Sequence, residues 1–130
     1  MLRLALLLAV LIAFPAAAEA GNSMTTPSRG ISCAVFDNRL RCDVNQIRWT
    51  NLPPKPKSCP FDWAGAVGLS ATGRARHLCV SDAVDRGTIV PYGRTWRFGA
   101  FRCAVRRSGV TCTNRAGHGF AIARERFRFF

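Results

Sequence analysis

Two stretches of this chain echo each other: Cys33-Ala34-Val35 leads to Cys42, and Cys103-Ala104-Val105 leads to Cys112, each over a nine-residue step. Each stretch alternates as a half-buried strand does, turns, and returns. In the first, Ile31, Cys33 and Val35 alternate with Ser32 and Ala34 before the turn residues Asp37-Asn38, and Leu40 and Cys42 come back on the same face. In the second, Phe101, Cys103 and Val105 lead to Arg107-Ser108-Gly109, with Val110 and Cys112 returning. Two-residue turn centres at 37–38 and 107–108 fix the register. Residues 36 and 39 then close the first turn as a hydrogen-bonded pair, and the alternation makes 33 and 42 a non-hydrogen-bonded pair; 103 and 112 follow by the same count. The Cα atoms of such a pair lie about 4.5 Å apart, at the low end of the disulfide range. The expected bridges are Cys33–Cys42 and Cys103–Cys112, which leaves Cys59–Cys79 by elimination.

These six thiols are expected to be oxidised because the chain carries the marks of export. Met1-Leu2-Arg3 gives a positive start, Leu4 to Phe14 an apolar run of 11 residues, and Pro15 to Ala20 a small-residue cleavage zone. The run is shorter than the ~20 residues of a spanning helix. Ala-x-Ala occurs at 16–18 and 18–20, and the later site is preferred. The expected organisation is a signal peptide over residues 1–20, a polar leader over 21–30, and one six-cysteine domain over 31–130, placed in the periplasm or outside the cell with no transmembrane segment.

Removing residues 1–20 takes away Arg3 and Glu19, so the formal charge of +12 belongs to the domain. Such a charge excludes an acidic cation-storage protein. Arginine supplies 17 of the 19 basic residues. Either guanidinium forks are used to grip phosphate, sulfate or carboxylate, or the genome favours Arg codons; composition alone leaves both open. No C-x-x-C pair occurs and His77 and His118 lack zinc-finger spacing, so no metal and no cofactor is expected.

The remaining chain reads as further short strands. Four of the seven prolines fall between Trp49 and Pro60, which suits an extended surface loop. Ala66 to Ser70 and Arg76 to Val80 flank Ala71-Thr72-Gly73 as a third hairpin. Pro91-Tyr92-Gly93 is a turn, and Arg94 to Val105 is the longest strand candidate. Phe120 and Ile122 indicate a last strand, after which strand and helical turn are both open. The fold class is all-β: a small, disulfide-stapled antiparallel sandwich or open barrel. A membrane barrel is excluded, because eight long strands exceed the length available and the arginines do not suit a lipid-facing wall.

The order Pro27-Ser28, Ile31-x-Cys33, Arg41-Cys42-Asp43, Cys59 with Asp62-Trp63, Cys79 with Asp82, Pro91-Tyr92-Gly93, Phe101-x-Cys103, Gly109-Val110-Thr111-Cys112-Thr113-Asn114 and Gly117-His118-Gly119-Phe120 resembles a family of small secreted bacterial six-cysteine proteins of unknown function. The resemblance spans nearly the whole chain after the signal peptide and implies export, the cysteine framework and a bacterial origin. It supplies no catalytic residues. One departure is Arg29-Gly30, where Gly-Asn is expected.

Four features could carry chemistry. His118, between two glycines, is a candidate for acid–base work, with a tight turn as the plain alternative. His77 with His118 would suit a metal-free ribonuclease pair, although any chain with two histidines meets that description. Asp82, Asp85 and the more distant Asp62 could pair as in a glycosidase, but they sit in turn chemistry and the arginines favour their ionised forms. The stretch from Arg124 to Phe130 would, as a strand, set Arg124, Arg126 and Arg128 on one face against Phe127 and Phe129, as an anion-binding ridge or as a soluble edge sealing the core. The pairs Arg48-Trp49, Asp62-Trp63 and Trp96-Arg97, together with Tyr92, could stack on bases or sugars or serve as core. No nucleotide-binding or hydrolase motif is present, nor a specific nucleic-acid motif.

Two functions follow. The first is a non-catalytic domain binding anionic envelope polymer, lipid head groups or nucleic acid through an arginine-rich surface. An inhibitor of lysozyme-like enzymes is a weaker variant, since such targets are usually cationic themselves. The alternative is a small secreted hydrolase, nuclease-like and metal-free, using His118 and His77.

Overall fold

In a computed structural model that describes Ile12 and residues 21–130, the two echoing stretches are the central hairpins of two facing sheets. The signal-peptide reading falls on residues outside this range. Strands β2 (Ile31–Phe36) and β3 (Arg39–Val44) form one hairpin; β8 (Phe101–Arg106) and β9 (Gly109–Thr113) form the other. Asp37 and Asn38 both have positive φ, 47° and 57°, the backbone of a tight two-residue hairpin turn. That turn sets Cys33 opposite Cys42, and in the other hairpin the 107–108 turn sets Cys103 opposite Cys112. The bridges are Cys33–Cys42, Cys59–Cys79 and Cys103–Cys112, with Cα separations of 4.0, 5.8 and 4.1 Å.

Around these hairpins the chain builds a sandwich that does not close into a barrel. One sheet has the order β5-β4-β3-β2-β1-β6, adding β1 (Ser23–Thr25), β4 (Ala66–Ser70), β5 (Arg76–His77) and β6 (Thr88–Ile89). The other has the order β11-β10-β9-β8-β7, adding β7 (Thr95–Phe98), β10 (Gly119–Ile122) and β11 (Phe127–Phe129). All neighbours run antiparallel except β1 and β6. Among the described residues there is no helix long and apolar enough to cross a membrane.

The two hairpin disulfides meet at the centre of the sandwich. All four sulfurs lie within 4.8 Å of one another, and Cys42 Sγ touches Cys112 Sγ at 4.0 Å across the sheets. Each sulfur is already bonded to its partner, so the contact is van der Waals packing between two bridges. Val35, Leu40, Val67 and Leu69 from one sheet and Val105, Val110, Phe120 and Ile122 from the other surround it. Every one of these is a side chain that strand alternation points inward.

Three segments depart from expectation. Residues 21–30 are not merely a polar leader: β1 lies inside the six-stranded sheet, with Met24, Thr25 and Thr26 buried. Polar residues can sit there because their hydroxyls are used. Thr25 and Ser32 share a 3.1 Å hydrogen bond, and Thr26 Oγ1 accepts from the Ile31 amide. The β1–β6 pairing also needs Gly87, where a Cβ would meet the Ser23 carbonyl carbon at 2.1 Å. Residues 94–105 are not one strand, because Gly99, at φ 56°, folds them into the β7–β8 hairpin with Phe98 opposite Phe101. In the C-terminal stretch only 127–129 is strand; Arg124 and Arg126 lie in the β10–β11 turn, closed by Ala123 N donating to Arg126 O.

Successive antiparallel strands put alternate connections at opposite ends of the sandwich. One end holds the 37–38 turn, the β4–β5 loop and the β9–β10 loop. Asn114 latches it: its amide donates to Ser70 O (2.9 Å) and Gly73 O (2.8 Å), while Oδ1 accepts from Ala116 N and His118 N. The residue is buried, so Asn114→Ala leaves up to four backbone groups short of a partner. We expect a loss of about 2–3 kcal/mol, read as a lower midpoint in thermal unfolding, with Asn114→Asp also destabilising because it cannot donate.

Candidate anion-binding site

The opposite end collects arginines. It is formed by the 26–30 turn before β2, Asn45 and Gln46 after β3, the β8–β9 turn, the β10–β11 turn, Arg86 and Tyr92. Together they enclose a hollow of about 680 Å³ lined by Arg29, Arg86, Arg106, Arg107, Arg124 and Arg126, with Glu125 as its one carboxylate. A smaller hollow of about 220 Å³ shares Arg106, Ser108, Gly109, Ala123 and Arg126 with it and continues past Thr111 to Phe127 and Arg128. The two make one trough running from the end of the sandwich onto the outer face of β9 and β10.

All seven arginines are exposed. The ion pairs among the described residues are elsewhere: Arg41 with Asp43 at 2.8 Å and with Asp82 at 2.9 Å. Three of the trough cations are held instead by neutral groups. Arg124 Nε donates to Gln46 O, Arg107 lies over the Tyr92 ring at 4.7 Å, and Arg128 over Phe130 at 4.8 Å. Guanidiniums gathered around a single carboxylate, Glu125, repel one another and leave the trough a positive potential that favours anionic groups.

Arg29 adds a backbone observation. Its φ is 62°, left-handed, where a side chain costs about 1 kcal/mol or more. The turn holds it there: Arg29 N donates to Thr26 O and Arg29 O accepts from Asn45 Nδ2. The expected Gly at this position would relieve that strain and lose the cation.

Of the residues singled out in the sequence, the trough brings together Arg124, Arg126 and Arg128, with the first two in a turn and only Arg128 on a strand. It does not include the histidines. His118 lies in the latched loop at the far end. His77 sits on the edge strand β5, where the seam with β11 closes, its ring among Phe127 (4.6 Å between centroids), Phe129 (4.8 Å), Trp63 (5.7 Å) and Trp49 (6.0 Å). Its Nδ1 is buried with no hydrogen-bond partner among the described residues. Asp82 is held below the usual carboxylate range by the hydrogen bond from Arg41 and by that cation's charge, which keeps it ionised and unfit as a general acid. Asp43 accepts from Val84 N as well, so this group clamps the 82–84 loop to the sheet. Trp49 and Trp96 are core residues whose indole N–H groups donate to Ala123 O and Gly21 O.

Arg29, Arg86, Arg106 and Arg107 were not among the site candidates read from the sequence. Their signal was positional: Arg106-Arg107 and Arg124-x-Arg126 each sit at a hairpin turn, and in a meander β8–β9 and β10–β11 turn at the same end.

A third hollow, of about 780 Å³, lies on the outer face of β3 and β4 with Arg39, Arg74, Arg76 and half-exposed Phe36. It also contains Asp37 and the already paired Arg41, so its positive charge is partly offset.

Two outcomes follow. Burial lowers the His77 pKa below its ordinary 6.5, so the unfolded chain takes up a proton that the folded chain resists. Stability is then full above about pH 6.5 and declines below it; thermal unfolding between about pH 7 and pH 5 should show this decline, and His77→Phe should remove that component. Arg29→Gly should raise stability by about 0.5–1 kcal/mol while weakening binding of dextran sulfate, with calorimetric melting and a binding titration read side by side.

A family model described as a family of unknown function (DUF6636) matches residues 6–130. Neither the curated proteins nor the solved structures give a match.

Proposed function

Because the chain belongs to a family of unknown function, DUF6636, we propose its role from the site alone: an exported, non-catalytic domain that binds anionic polymer along the arginine trough. One observation carries this reading: seven exposed arginines face one glutamate in a continuous depression, and none of the seven is ion-paired among the described residues. Arginine forks match carboxylate, sulfate and phosphate oxygens two at a time, and a polymer offers several such groups at once. The three disulfides and the N-terminal apolar run support export.

The competing hydrolase reading rests on His118 and His77. Support for it is weak, since the two imidazoles have different surroundings. One is in a loop organised by Asn114, and the other is wedged among four aromatic rings with no polar partner on Nδ1. Neither lines the trough.

Polymer binding of this kind weakens steeply with salt, because each ionic contact releases counterions. In a NaCl titration with labelled dextran sulfate, Arg106→Gln/Arg126→Gln should lower the affinity and reduce the log–log slope by about two. Arg39→Gln/Arg74→Gln, in the third hollow, should leave the slope in place, and His118→Ala should leave binding in place. Equal slopes for both double variants would mean that net charge alone does the binding.

A further inference from the structure

Resting on the trough reading, we infer that the polymer is an acidic polysaccharide, with carboxylate or sulfate on its sugars, and not a nucleic acid. The trough has charge, but it has no aromatic platform. Proteins that bind single strands without sequence preference combine a basic groove with rings on which bases stack, each worth ~1–3 kcal/mol. Here Tyr92, the aromatic ring of the main hollow, carries Arg107 over its face, and Phe127, at the end of the smaller one, packs against His77 and Trp49. The half-exposed rings of the domain, Phe36 and Phe61, line neither part of the trough.

What stands between the arginines is hydroxyl and amide. Gln46, Ser108 and Thr111 are exposed along the trough, and their side chains make no hydrogen bond within the protein among the described residues. Each can both donate and accept, as a sugar hydroxyl can. Guanidinium forks spaced by such groups therefore match a chain in which anionic groups alternate with hydroxyls. A nucleic acid would offer its phosphates to the arginines and leave its bases with nothing to stack on.

The test compares polygalacturonate and dextran sulfate with oligothymidylate of equal charge number, and with vesicles containing anionic phospholipid, all at about 0.15 M NaCl. Both polysaccharides should bind the intact domain at least about tenfold more tightly than the oligonucleotide, and Gln46→Ala/Ser108→Ala/Thr111→Val should remove about that factor, the effect of two ordinary hydrogen bonds, from the polysaccharides alone. The inference is overturned if oligothymidylate or the vesicles bind as tightly as the polysaccharides, or if the triple variant weakens all probes alike. Arg106→Gln/Arg126→Gln separates the two levels. If that variant binds every probe as the parent does, the trough itself is not the site; if it weakens every probe but no polysaccharide preference exists, only the ligand class is wrong.

Discussion

Two disulfides packed against each other hold this sandwich at its centre. Each joins neighbouring strands within one sheet, so neither bridge ties the sheets together covalently; what joins them is the 4.0 Å contact between Cys42 and Cys112 and the aliphatic shell around it. A bridge closing a ten-residue loop stabilises by about 2.7 kcal/mol in the chain-entropy picture, and it also fixes hairpin register, since a slip of one residue would turn both sulfurs to the wrong face. A domain this small has a modest apolar interior. Rigid sulfur at the middle lets short strands meet without large side chains from every position.

That centre makes the charged end tolerable. Seven like charges around one trough oppose compaction, and arginine at a left-handed backbone position adds local strain. Compensating order lies elsewhere: at the opposite end the Asn114 amide satisfies groups from two loops, and on the outer face of β3 Arg41 joins Asp43 to Asp82. Along one lateral seam His77 and its four aromatic neighbours seal β5 against β11. The uncompensated charge and the interactions that hold the loops thus occupy different parts of the sandwich.

The hairpins were readable because their information is local. Alternation, turn residues and a nine-residue cysteine step lie within a dozen positions, and strand geometry converts them directly into facing residues. Where the fold departed from the reading, the deciding partner was distant in sequence. Thr25 looked like leader until its hydroxyl met Ser32 within a paired strand; the break at Gly99 was masked by the apolar residues on either side of it.

For the site, the chain itself determined the excess of arginine, its concentration in turns and the staple that holds the turns in place. Spatial folding alone decided which arginines share a surface, because Arg29, Arg106 and Arg126 come together only when antiparallel strands return their connections to one end, where Arg86, just before the parallel strand β6, joins them. It also decided the settings of the two histidines: one lies in the loop organised by Asn114, the other among aromatic rings at a lateral edge of the sheet. Local pattern specifies which way a side chain points, whereas the meeting of distant side chains depends on how whole sheets stack, and that follows from the two sulfur bridges packing face to face.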